Sequence, residues 1–323
     1  MYNTERMLKY NKLKRRPRDF IAATGLTLEE FAKLLPAFQT AYEKLYPREL
    51  TGKGQRRQRL AGGGAKGVLD GAEEKLLFIL VYQKTNPLQI MHGLQFNLSQ
   101  SQTNYWIHRL LPVLQQALSD LGHAPEREAS GVAVSPLARE TAPELAIDGT
   151  ERRRQRPQDV ELQKEHYSGK KKTHTDKNIL LVNEHTGKVV YLGPTVAGKT
   201  HDKKAADEAP IAYPANATLD KDTGFQGYEP AGVLTQQPQK KTKGQQLSAS
   251  DRLLNRIFSS ARVVVEHVIS GVKRCRIVKE ALRLTKEGIS DLVMEIACGL
   301  HNLRVSYRHP LPTFDLLGLL SSA

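Results

Sequence analysis

The chain is poor in cysteine, in long apolar runs and in acidic charge. Its 323 residues hold two cysteines, Cys275 and Cys298, with no C-x-x-C pair. That argues against a disulfide framework or a structural zinc site and points to a reducing compartment. The longest clean apolar run, Leu76–Tyr82, is far short of the ~20 residues that span a bilayer. The first residues carry Lys9, Lys12, Lys14, Arg15, Arg16 and Arg18 without an apolar stretch, so they do not read as a secretory signal. The ten histidines offer no H-E-x-x-H spacing, and no internal repeat is present. Against 48 Lys and Arg stand 34 Asp and Glu, a net charge of +14.

The positive charge that remains is clustered. It gathers at 9–18, at Lys53, Arg56, Arg57 and Arg59, at Arg152–Arg156, at Lys170–Lys172 and at Lys240–Lys243. Such a chain suits a polyanion, nucleic acid first and an anionic membrane surface second. An apolar content of 39% leaves room for at least one sizeable core.

Residues 1–67 read as a basic arm, a helical segment and a linker. Thr27-Leu-Glu-Glu30 is a capping-box pattern, followed by Phe31, Leu34, Leu35, Phe38, Tyr42 and Leu45 on one helical face. Pro36 is expected to kink or split that helix. The Gly- and Arg-rich 47–67 reads as a flexible linker. Residues 68–122 read as three helices: an apolar one at 72–84 stopped by Asn86-Pro87, a short one near 88–94, and a longer one capped by Ser99. This is a helix-turn-helix arrangement. Its last helix leaves Gln100, Gln102, Asn104 and His108 as candidate contacts to bases or phosphates, although an ordinary three-helix packing unit has the same pattern. Residues 123–142 read as a linker. From 143 to 310 strand patterns come first and helices later, which predicts an α/β fold with a mixed sheet. A strand at 144–148, a hairpin of 178–182 with 188–192, and a short strand at 217–220 are expected. Residues 311–323 form a tail.

Three acidic residues stand in distinctive settings. Asp148 ends the apolar run Leu145-Ala146-Ile147, where a strand end would present its carboxylate. Asp222 opens Asp-Thr-Gly-Phe-Gln-Gly, with Asp220 a rival two residues earlier. Glu266 lies on a helix whose other face carries Leu254, Phe258, Ala261, Val265, Val268 and Val272. Val263–Val265 is poor helix material within that run. Carboxylates from separate elements can hold two Mg²⁺ ions, the machinery for breaking and joining phosphodiester bonds. Each acid has a plainer reading, as a turn residue or a member of a solvated ion-pair row. Gly193–Thr200 satisfies the P-loop pattern. The segment behind it is too short for the helix a P-loop needs and is stopped by Pro210, so no nucleotide cofactor is expected.

At Ala146–Glu151, Tyr167–His174, Gly198–Asp202, Asp222–Gly227, Asn255–Lys273 and Gly299–Arg304 the chain resembles bacterial insertion-sequence transposases of the DDE endonuclease superfamily. The helix-turn-helix resembles that family's DNA-binding module. The resemblance implies an RNase H-like catalytic domain with Asp148, Asp222 and Glu266 as catalytic, metal-binding triad and Asp202 as an auxiliary acid. It favours Asp222 over Asp220. It implies two Mg²⁺ ions, with Mn²⁺ able to substitute, and Lys170, Lys171, Lys172, Arg262 and Lys273 as phosphate contacts. The expected activity is that of a DNA transposase. It would bind the inverted repeats of its own element, cleave DNA and join the 3′-OH ends to target DNA. The alternative is a catalytically silent DNA-binding relative, such as a repressor. Expected partners are double-stranded DNA and further copies of the chain on DNA, with no membrane, in the cytoplasm at the nucleoid.

Overall fold

The computed structural model describes residues 7–51, 54–59, 67–238 and 263–308. The expected arm begins with two short helices, α1 (Tyr10–Leu13) and α2 (Pro17–Thr24), and α3 (Leu28–Leu45) follows. Phe20, Leu26, Phe31, Leu34 and Phe38 are buried in one core with the later helices, so this stretch is part of the folded body. Thr27 and Glu30 form the capping box that starts α3. Pro36 does not split the helix. An interior proline costs ~3 kcal/mol through its lost donor and its ring clash, and burial of Phe31 and Leu34 before it and Phe38 and Ala41 after it offsets that loss.

Helices α4 (Gly71–Thr85), α5 (Gln89–Phe96) and α6 (Gln100–Asp120) form the helix-turn-helix. Asn86 and Asn97 end the first two in left-handed conformations, φ 45° and 53°, which asparagine tolerates. Ser99 and Gln102 make a second capping box at the start of α6. Gly93 allows the tight turn, since a Cβ there would lie 2.5 Å from Leu98 O and 2.7 Å from Thr103 Oγ1.

The sheet runs in the order β4–β3–β1–β6–β7. Its strands are β1 (Glu144–Arg153), β3 (Thr173–Asn183), β4 (Lys188–Leu192), β6 (Thr218–Lys221) and β7 (Leu234–Gln236). The two-residue strands β2 (Tyr167–Ser168) and β5 (Val196–Ala197) extend the outer edge of β3. β1, β3 and β4 are antiparallel neighbours, whereas β6 and β7 run parallel to β1. Side chains alternate along β1. Ala146 faces the core built with α10 (263–272) and α11 (Ile289–Arg308). Leu145 and Ile147 face a second core that includes α9 (Asp202–Asp207). The result is an RNase H-like α/β domain preceded by an all-α region.

Residues 123–142, expected as a linker, are packed on the sheet. Val132, Leu137 and Ala138 are buried in the second core, and the Glu126 backbone bonds Val190 O and Leu192 N–H at 2.8 and 3.0 Å. The hydrophobic signal is sparse there because a 3₁₀ turn (Ala129–Val134) and the four-residue α7 (Pro136–Arg139) carry it. α11 packs between β4 and α6, and its polar residues serve as fasteners. Asn302 accepts from Val189 N–H at 2.8 Å and donates to Val189 O and His123 O at 2.9 Å each. Arg304 donates to Gly271 O at 2.7 Å. Arg308 grips Glu30 through two bonds of 2.6 and 2.8 Å, tying the end of α11 to the start of α3.

Candidate active site

A parallel strand pair sets the centre of the site. The β1–β6 ladder pairs Ala146 with Asp220 and Ile147 with Lys221, and there it ends. Asp148 and Asp222 are the next residues on each strand, so they stand side by side where β6 stops. Asp148 does not end its own strand, as the apolar run suggested. β1 continues five residues further because β3 pairs with it as far as Arg153.

Asp148, Asp222 and Glu266 all line one cavity of 260 Å³, with Asp220, Glu151, Lys170, Lys171 and Lys273 among its walls. Glu266 is exposed on α10, a helix despite its Val263–Val265 run, and its neighbours Val265 and Val268 turn into the core. Asp148 Oδ1 accepts from Gly149 N–H at 2.7 Å, and Asp222 Oδ1 accepts from Thr223 N–H at 2.6 Å. Burial pushes the Asp148 carboxyl up to about 6, and the charges of Asp222 and Asp202 push the same way. Asp220 has a different partner. It hydrogen-bonds Glu184, whose carboxyl burial raises strongly.

Asp202 reaches the centre from the other face of β1. A Cβ on Gly149 would lie 2.5 Å from Asp202 Oδ1, and one on Gly224 would lie 3.1 Å from Oδ2. These two glycines leave the space it occupies. Asp202 ion-pairs with Lys177 at 2.8 Å and does not line the cavity. Lys170–Lys172 form the exposed turn before β3. Lys273 is half-buried and donates to Glu151 O at 3.1 Å; burial, then Lys171, holds its ammonium below the usual lysine range. Arg262 lies outside the described residues.

On α6 the expected DNA contacts have local partners. The Gln102 side chain accepts from Ser99 N–H at 3.0 Å, and Asn104 Oδ1 accepts from Gln89 Nε2 at 3.1 Å. Gln100 is exposed and His108 is half-buried. Burial, then Lys286, lowers the His108 imidazole. The P-loop look-alike ends in α9, only six residues long. A Cβ on its Gly198 would lie 2.0 Å from Thr175 Oγ1, so the glycine packs against β3.

The donor set fits hard divalent cations: three carboxylates, two of them adjacent, with Asp148 raised by burial and by acids that a cation would neutralise. Among the described residues no three His, Cys, Asp or Glu side chains already close on one point as a finished metal cage. The acids border a shared space instead. No described helix is long and apolar enough to cross a membrane.

Both the helical region and the sheet domain have known relatives. Residues 147–302 match the family described as DDE superfamily endonuclease, and residues 68–120 match the helix-turn-helix of DDE superfamily endonuclease. The chain is 24% identical over 238 residues to the probable transposase for insertion sequence element IS702 of Microchaete diplosiphon, covering 73% of this chain and 82% of that protein. No solved structure matches the chain significantly. Residues 68–120 and 147–302, about two thirds of the chain together, thus belong to the DDE superfamily of endonucleases. The chain is a DDE-type transposase, with the helix-turn-helix ahead of the nuclease domain.

Proposed function

We propose that Asp148, Asp222 and Glu266 hold two Mg²⁺ ions and that the chain uses them to cut DNA at the ends of its own element and join the freed ends to target DNA. The observation that carries this reading is the β1–β6 register, which sets Asp148 beside Asp222 on a cavity that Glu266 also lines. The chemistry such ions supply is activation of a water or 3′ hydroxyl and stabilisation of the leaving oxygen. The protein's own groups do the rest. Gly149 N–H and Thr223 N–H fix one oxygen of each aspartate. Lys170, Lys171 and Lys273 line the cavity and supply positive charge for the phosphates on either side of the cut bond. Asp202, held by Lys177, acts as an auxiliary acid that sets the position and charge of Asp148 from behind.

Water attacks first and releases a 3′ hydroxyl, which then attacks the target strand in line. Lys172 and Arg262 add phosphate contacts, and the helix-turn-helix, with Gln100, Gln102, Asn104 and His108, meets the inverted repeat. Two element ends must be handled together, so the working form is an assembly of several copies on DNA. The test is nicking of a supercoiled plasmid with Mg²⁺ or Mn²⁺, wild type against Asp148→Asn. Metal-dependent nicking by the wild type alone is expected. Equal nicking by both proteins, or by neither, sinks the reading.

A further inference from the structure

A second cavity, of 690 Å³, opens beside the first and shares Lys273 with it. Six of its eight lining residues are cationic: Lys84, Arg153, Lys273, Arg274, Arg276 and Lys279. They come from the end of α4, the end of β1 and the turn beyond α10. The lining carboxylate, Glu280, is committed, accepting from Arg276 Nε at 2.7 Å and from Asn86 Nδ2 at 3.1 Å. Six cations less one carboxylate leave five positive charges uncompensated within the lining. Lys84 is held there, donating to Arg274 O at 3.0 Å. Burial lowers its ammonium, and Arg304, Arg274 and Arg276 push the same way. Crowded like charges of this kind are relieved by an anion. Because the cations run on from Lys273 and the nuclease cavity, a polyanion satisfies both cavities where a small anion would satisfy one.

Geometry sets the distance. Arg153 lies five residues beyond Asp148 on β1, or ~17 Å at the strand rise. One DNA strand advances ~3.4 Å along its axis per nucleotide, so this is about five nucleotides. We propose that the Arg153/Arg274/Lys279 pocket holds the phosphodiester backbone of DNA about three to six nucleotides from the bond being cut, through charge alone and without reading sequence. This rests on the first cavity being the DNA-cutting site. Lys84 belongs to the helix-turn-helix, so the pocket also joins the path from the nuclease centre to that module.

The experiment is metal-free binding of a DNA duplex of about 20 base pairs across a salt series, read by fluorescence anisotropy. Arg153, Arg274 and Lys279 are all exposed. The triple Arg153→Gln, Arg274→Gln, Lys279→Gln variant is expected to lower the slope of log affinity against log salt by ~2.7, or ~0.9 for each phosphate that is no longer neutralised. The charge-keeping Arg153→Lys, Arg274→Lys pair retains the wild-type slope. A charge-matched control, Lys33→Gln, Lys44→Gln, Lys164→Gln, removes exposed cations from α3 and α8 (Val160–His166) and is expected to stay near wild type. An unchanged slope in the first variant, or an equal fall in the control, would overturn the proposal. No cutting enters this measurement, so its failure leaves the nuclease reading standing. A protein that shows these slopes and never nicks DNA would sink the nuclease reading, and with it the spacing from a cut bond, while the pocket stands as a DNA-backbone contact.

Discussion

Asp148 is a carboxylate held where ionising is unfavourable. Its pKa rises from 3.8 to about 6 through burial first and neighbouring acids second. The folded chain therefore keeps a proton that the unfolded chain has lost, and metal-free stability falls as pH climbs through that window. Asp148→Asn should then stabilise the metal-free protein at neutral pH by about 3 kcal/mol while abolishing nicking. A denaturant melt in chelator checks the sign, and a destabilised variant would contradict it. Metal uptake runs the other way, weakening as pH drops through about 6 because the proton competes with the ion. Gly149→Ala tests the close approach from behind, since its Cβ would fall 2.5 Å from Asp202 Oδ1. Loss of nicking by about tenfold or more with little change in DNA affinity is expected.

At the scale of elements, the sequence announces helix starts and hides packed polar segments. Thr27 with Glu30 and Ser99 with Gln102 mark helix starts because each capping box is local chemistry. The second half of β1 was not legible. Arg152 is buried there, but it bonds Asn178, Thr195 and Ser290, so no apolar pattern signals the strand. The placing of Asp148 beside Asp222 depends on a register between distant segments, which no local motif encodes. The basic pocket is illegible for the same reason, as its cations come from separate parts of the chain. Asn302 is the fastener most open to test at this scale. Asn302→Ala leaves Val189 N–H, Val189 O and His123 O without their side-chain partner. A loss of about 2–4 kcal/mol by urea melting is expected. A change within experimental error would mean that α11 is held by apolar packing alone.

For the whole molecule, one core runs from Leu13 through α4, α6 and α10 to Leu303, joining the N-terminal helices to one face of the sheet. The ion pair of buried Glu30 with half-buried Arg308 closes the same body. The helix-turn-helix and the nuclease domain are therefore expected to unfold together in a single cooperative transition by calorimetry. Two separated transitions would contradict the shared core. This coupling also gives the DNA path a rigid frame, because Lys84 on α4 and Arg274 beyond α10 are joined directly.

The proposed DNA cutting and joining depends most on three carboxylates sharing divalent ions. Binding of Mn²⁺ to the protein–DNA complex, counted by electron paramagnetic resonance, tests it most directly. Asp148→Asn, Asp222→Asn and Glu266→Gln should each lower the bound Mn²⁺, while Asp220→Asn, paired elsewhere with Glu184, should leave it at the wild-type level. Wild-type Mn²⁺ binding in any one of the first three variants would contradict the shared site.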